Sequence, residues 1–136
     1  MLFKNGFLFY KFYNIRLFIY LLFQRFDLLV ANDLDTLLPN FLVSKLRSIP
    51  LVYDSHEYFT GVPEIQNRPF VKWAWTTIEK IILPRLKYIM TVSDSIAKQY
   101  ESQYGIRPVV IRNCSRSSAE IKDYTKKELG INDSHL

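Results

Sequence analysis

Leu51-Val52-Tyr53-Asp54-Ser55-His56-Glu57 is a short apolar run that ends in four hydrogen-bonding residues. The pattern recurs elsewhere. Leu28-Leu29-Val30-Ala31 precedes Asn32-Asp33, Ile89-Met90-Thr91-Val92 precedes Ser93-Asp94, and Val109-Val110-Ile111 precedes Arg112-Asn113. Short continuous apolar runs are how buried parallel strands read. An open parallel sheet binds ligands in the crevice at the carboxyl ends of its strands. The polar clusters should therefore face one crevice. The cluster at 54–57 is the richest in acid–base groups and holds one of the two histidines of the chain.

Working outward, the segments between the runs read as helices. The expected order is helix (about 7–25), strand (27–31), helix (about 34–47), strand (51–53), loop (54–68), helix (about 69–87), strand (88–92), helix (94–104) and strand (108–112). Strands alternating with helices imply right-handed crossovers and a parallel sheet. Asp33 or Thr36 can cap the second helix, and Ser93 or Asp94 the fourth. Pro39 blurs the start of the second helix, Pro84 should kink or end the third, and Gly105 suits a left-handed helix end. In the third helix Phe70, Trp73, Ala74, Ile78, Ile81 and Ile82 repeat at helical spacing and read as a core face. The loop from Asp54 to Arg68 is long for a strand-to-helix connection and is the natural candidate for an active-site wall. After Asn113 the chain turns polar, with one short helix expected near 119–129.

Composition bounds the function. The 136 residues are 49% hydrophobic and 15% aromatic, which excludes a disordered chain and allows one domain or part of one. A single cysteine, Cys114, cannot form an internal disulfide; it fits a reducing compartment and reads as a small packed side chain. Net charge is +5, and residues 1–26 carry Lys4, Lys11, Arg16 and Arg25 with no acid, so an anionic partner is favoured. No helix-turn-helix signature, zinc spacing or RNP motif supports nucleic-acid binding. The first helix is apolar and aromatic, with Phe7, Tyr10, Phe12, Tyr13, Leu17, Phe18, Leu21 and Leu22 on a broad face. Lys11 and Arg16 interrupt it, so a clean span of about 20 apolar residues is absent. No small-residue cleavage site of a signal peptide follows before Asp27. The helix fits a core-facing role or a membrane-surface role.

The chemistry centres on Asp54, Ser55, His56 and Glu57. An imidazole can donate or accept a proton at a reacting oxygen near neutral pH, and a carboxylate can orient it. The same residues also fit a plain strand terminus, with Asp54 or Ser55 bonding the loop backbone, and spacing alone leaves both readings open. Ser55 lacks the Gly-x-Ser-x-Gly elbow of a nucleophile, and His135 lies beside the chain end. One placed histidine with scattered carboxylates gives no zinc spacing, and there is no phosphate-binding glycine loop. Asn32-Asp33 and Ser93-Asp94 read as caps that also sit where polar ligands bind.

Four segments carry a resemblance: DLLVANDLDTLLPN (27–40), LVYDSHEYF (51–59), YIMTVSDSIAKQY (88–100) and PVVIRN (108–113). Together they resemble the N-terminal half of glycosyltransferase family 4, over about residues 1–131, most closely in bacterial enzymes of cell-surface polysaccharide synthesis. The resemblance implies a GT-B fold, in which two Rossmann-like domains face a cleft. The expected fold class is thus α/β, a Rossmann-like parallel sheet flanked by helices. Residues 1–113 would be a partial N-terminal, acceptor-side domain and 114–136 a linker toward a donor-binding domain. The earliest strands would precede Met1 and the donor domain would follow Leu136, which makes the chain an internal fragment.

The function implied is transfer of a sugar, with retention, from a nucleotide-sugar donor to a glycan or lipid-linked acceptor, with no bound metal or other cofactor. His56 takes the cleft position near the transferred sugar and Glu57 a neighbouring catalytic position. Asn32, Asp33, Asp54, Ser93 and Asn113 take substrate-binding positions. Arg112 and Cys114 stand where the family's Pro and Gly flank Asn113. Glu120 and Glu128 have the spacing of the family's glutamate pair but sit in the linker, so the match reads as coincidence. The protein would be cytoplasmic, peripheral at the inner face of the plasma membrane if residues 7–25 touch lipid. The alternatives are an epimerase of the same architecture, acting on nucleotide sugars at C2, and a non-catalytic membrane-surface module.

Overall fold

The structure is a computed structural model that describes residues 7–114. Strands β1 (Leu29–Asn32), β2 (Leu51–Ser55), β3 (Tyr88–Thr91) and β4 (Val109–Val110) form one sheet in the order β1-β2-β3-β4. Every neighbouring pair is parallel, with Ala31 beside Tyr53, Tyr53 beside Ile89 and Thr91 beside Val110. Helices α1 (Phe7–Phe23), α2 (Leu34–Arg47), α3 (Pro63–Gln66), α4 (Pro69–Ile82) and α5 (Asp94–Tyr104) fill the intervals. The α/β class and the parallel sheet expected from the alternation are therefore present.

One face of the sheet is the core. Leu29, Ala31, Leu51, Tyr53 and Ile89 point into it and pack with Leu34, Leu37, Val43, Trp75, Ile82 and Tyr100 of the helices. The opposite row, Val30, Tyr88 and Val109, is exposed. The cause is topological. Successive right-handed crossovers that always step in one direction place every connecting helix on the same face.

Helix α2 shows how local chemistry is balanced. Pro39 lies inside it, so the carbonyl of Asp35 loses its intrahelical donor. The Asn14 side chain of α1 supplies one instead, donating from Nδ2 to Asp35 O at 3.0 Å. At the other end the Arg47 guanidinium donates to the Leu21 and Gln24 carbonyls that close α1. These two clasps, one at each end of α2, set α1 and α2 side by side in the same direction. Ser48 ends α2 in the left-handed conformation (φ 55°, ψ 37°).

Several boundaries differ from the sequence reading. Strand β1 begins at Leu29 and includes Asn32, and β2 extends through Asp54 and Ser55. The expected loop 54–68 holds a 3-10 turn, Phe59–Gly61, and the short helix α3. Gly61 is required there because a Cβ would lie 2.2 Å from the Tyr58 ring. Pro84 ends the third helix as expected, α4 giving way to a 3-10 turn over Leu83–Arg85. Strand β4 keeps only two residues.

The core face assigned to α4 holds for Ile82 and for Ile78, which packs against the core, and is corrected for Phe70, Trp73 and Ile81. Trp75, Glu79 and Ile82 are buried, while Phe70, Trp73 and Ile81 are exposed, Trp73 at 63%. Two apolar stripes run along this helix, and periodicity alone does not say which turns inward. Cys114 is exposed rather than packed. The helix expected near 119–129 and Glu120 and Glu128 lie outside the described residues. Among those described, no helix is long and apolar enough to cross a membrane.

Candidate active site

The carboxyl ends of β1 and β2 are tied together, and His56 sits on the knot. The backbone N–H of Asp33 donates to Asp54 O at 2.9 Å. The Asp33 carboxylate crosses in the other direction, its Oδ1 accepting from the His56 backbone N–H at 2.9 Å. Its Oδ2 lies 3.4 Å from His56 Nδ1. On the other side of the ring, Asp54 Oδ2 lies 3.3 Å from His56 Nε2. The imidazole is thus held between two carboxylates. A neutral ring can donate to only one of them, and the protonated ring to both. The His56 side chain keeps 42% of its surface exposed, whereas the Asp54 side chain keeps 19%.

Asp33 holds this position at a cost. Its φ is 58° and ψ 171°, a region populated almost only by glycine. It caps α2 by position, but its side chain makes no capping bond; the carboxylate goes to His56 instead. Thr36 completes the turn, its hydroxyl donating to Asn32 O at 2.6 Å. The capping expected of Asp33 or Thr36 is therefore replaced by a strained turn directed at the histidine.

The crevice rim is acidic. Asp35 and Glu57 join Asp33 and Asp54 near His56, the one histidine among the described residues. The Asp35 carboxyl is held above its usual range, first by burial and then by the Asp33 charge. Glu57 is exposed and points its carboxylate at no protein donor among the described residues. It does not orient His56; Asp33 and Asp54 do. Asn32 is exposed at the tip of β1. Ser93 caps α5, accepting from the Ile96 N–H at 3.3 Å. Asn113 is exposed beyond β4, next to Arg112, which pairs with Asp94. The site thus brings Asp33, Asp54 and His56 together, while Ser93 and Asn113 stand at the neighbouring strand ends and make no bond to that triplet.

Beneath the histidine lies a buried polar layer, of which the sequence reading named only Ser55, whose bond to the loop backbone is the one expected of a strand terminus. Ser55 is fully buried, and its hydroxyl donates to Glu57 O at 2.9 Å. The Tyr100 hydroxyl, 2.9 Å away, therefore donates to Ser55 Oγ. Thr91 Oγ1 donates to Ser55 O at 2.8 Å. Farther down, Glu79 is fully buried and its Oε2 accepts from Thr60 at 2.9 Å and Tyr104 at 2.8 Å. Burial pushes the Glu79 carboxyl up, against the hydroxyls of Tyr104, Thr60 and Tyr100, which favour its charge. Burial first, and then the Glu79 carboxylate, also raise the phenols of Tyr100 and Tyr104, which stay neutral donors. The available signal was alternation: Leu51, Tyr53 and Ser55 share the inward face of β2, and a buried serine needs partners. No group of three or more metal-ligating side chains is placed to hold an ion among the described residues.

A parallel sheet flanked by helices, with its carboxyl strand ends gathered at one rim, is a Rossmann-like α/β architecture. The sequence profile of Glycosyltransferase Family 4 matches residues 2–114, and the chain belongs to that family. No curated protein and no solved structure matches.

Proposed function

We propose that this domain is the acceptor-side wall of a retaining glycosyltransferase that uses a nucleotide-sugar donor, with no metal, and a glycan or lipid-linked acceptor in bacterial cell-surface polysaccharide synthesis. Family membership supports glycosyl transfer. The observation that carries the site is the His56 ring, clamped by Asp33 and Asp54 yet left exposed. Carboxylates accept hydrogen bonds from hydroxyls and repel diphosphates, so an acidic rim suits the hydroxyl-rich acceptor rather than the nucleotide.

In this reading His56 hydrogen-bonds the sugar under transfer, and its two carboxylates fix the ring before substrate arrives. Glu57, with no donor on its carboxylate among the described residues, contacts substrate hydroxyls directly. Asn32 and Asn113 offer side-chain amides at the rim, and Ser93 closes it from α5. Transfer is direct: the anomeric bond to the diphosphate breaks as the acceptor oxygen binds on the same face, the acceptor proton passes to the departing phosphate oxygen, and the nucleoside diphosphate leaves. The test is a product assay with the active enzyme that holds this domain, supplied with nucleotide-sugar donors with and without acceptor. Glycoside of unchanged anomeric configuration, formed only with acceptor, is the expected result. Epimerised nucleotide sugar formed without acceptor would replace this reading with the epimerase.

A further inference from the structure

A pocket of about 550 Å³ opens on the helix-covered flank of the domain, between the segment that follows β2, helix α4 and the end of α5. The segment after β2 contributes Tyr58, Thr60 and Gln66, and α5 contributes Gln103 and Tyr104. Lys72, Thr76 and Lys80 follow one another at four-residue spacing along α4 and form the third wall. Apart from Gly61, every lining residue carries a hydrogen-bonding side chain, and none is a carboxylate or an aliphatic residue. None of them belongs to the crevice around His56.

The hydrogen bonds inside the walls decide what the pocket presents. Thr60 and Tyr104 both donate inward, to Oε2 of the buried Glu79, so their oxygens are left as acceptors. Tyr58 donates to Gln103 Oε1 at 2.8 Å, which leaves the Gln103 amide N–H groups as donors. Lys72 gives one proton to Gln66 Oε1 and keeps two. The Thr76 hydroxyl and the Lys80 ammonium have no partner among the described residues. The Tyr58 ring itself is held in place: it lies where a Cβ on residue 61 would be, and Tyr100 braces it edge to face.

We infer that this pocket binds an acidic saccharide, a polyhydroxylated ligand that carries a carboxylate or a phosphate. Three features select that class. Donors and acceptors mixed in one wall match sugar hydroxyls, which are both at once. The braced Tyr58 ring offers a flat apolar surface to sugar C–H groups. Lys72 and Lys80, about 12 Å apart at 1.5 Å per residue, put positive charge at both ends, with no lining carboxylate to neutralise it. A bare phosphate would use the cations and leave the hydroxyls and amides idle. A nucleoside base favours an apolar slot, and the lining has no aliphatic residue to make one. The volume lies within the range of pockets that hold small organic ligands. The inference goes beyond the transferase reading and stands without it.

The test is calorimetric titration of the full 136-residue chain with trigalacturonate and with sialyllactose. Maltotriose and lactose serve as neutral counterparts and inorganic phosphate as the bare anion. Saturable binding of at least one acidic saccharide is expected, at least tenfold tighter than its neutral counterpart and than phosphate. Lys72 and Lys80 are exposed, so Lys72→Glu with Lys80→Glu should weaken binding at least tenfold while leaving the circular dichroism spectrum unchanged. Thr76→Val should weaken it about threefold. Lys98→Glu, the same charge change outside the pocket, should leave the affinity unaltered. Saturation by neither acidic saccharide, equal affinity for the neutral counterpart, equally tight phosphate, or wild-type affinity in the double lysine variant or in Thr76→Val would overturn the inference.

Discussion

At the scale of single residues, the site trades backbone comfort for position. Asp33 occupies a glycine-like backbone region at a cost of about 1–3 kcal/mol. Its side chain and N–H, anchored on His56 and Asp54, hold it there. Asp33→Gly should relieve the strain and release the histidine. The expected outcome in thermal denaturation is an unchanged or raised melting temperature, with turnover reduced at least tenfold. Asp33→Ala keeps the strain and loses the anchor, and should lower stability by about 1–3 kcal/mol. His56 was legible in the sequence because a titratable group followed an apolar run. Its real partners were not. Glu57 adjoins it in sequence, but the ring turns to Asp54, two residues back, and to Asp33, just past the end of β1. Register across strands made that pairing, and a linear reading carries no register between β1 and β2.

At the scale of elements, the buried acid Glu79 fastens the 3-10 turn at Thr60 to α4 and α5 through two hydroxyl bonds. Its carboxyl is raised in the folded state, so folding favours the protonated form. That contribution is complete below the unfolded carboxyl value and is lost as pH rises through the raised folded one. The melting-temperature difference between wild type and Glu79→Gln should therefore change across this interval, the wild type losing ground as pH rises from 4 to 7. A constant difference would show that the carboxyl ionises alike in both states. Glu79→Leu should cost about 1–3 kcal/mol, since Thr60 and Tyr104 lose their buried acceptor. Ser48, left-handed at the end of α2, predicts the opposite sign: Ser48→Gly should gain up to about 1 kcal/mol in urea unfolding. Helix existence and order were readable from periodicity and from Pro84 and Gly105. The inward side of α4 was legible only at Ile78 and Ile82, because Phe70, Trp73 and Ile81 form a second apolar stripe and the buried side includes Glu79. Pro39 blurred the start of α2 because the donor that compensates for it, Asn14, lies on another helix.

At the scale of the whole molecule, the parallel sheet was legible as four apolar runs, but runs alone promise burial on both faces. The described residues cover only one. On the other, Val52, Tyr88, Met90, Val109 and Ile111 line a groove of about 300 Å³ beside Lys87 and Arg107. Parallel sheets are stable with both faces covered, so this surface should make the isolated chain bind a hydrophobic dye such as ANS. Val109→Lys and Ile111→Lys together should reduce that signal at least twofold without altering the far-ultraviolet spectrum. Across the sheet ends, the same topology places Asn32, Asp33, Asp54, His56, Ser93 and Asn113 along one rim, and that common placement is what makes a catalytic reading of His56 physical. The most direct measurement is the sugar-transfer rate of the active enzyme that holds this domain, with wild-type His56 and with His56→Ala, using the same donor and acceptor. The expected result is a fall of at least a hundredfold in kcat/KM with an unchanged melting temperature. Unchanged turnover would remove His56, and with it the clamp of Asp33 and Asp54, from the mechanism.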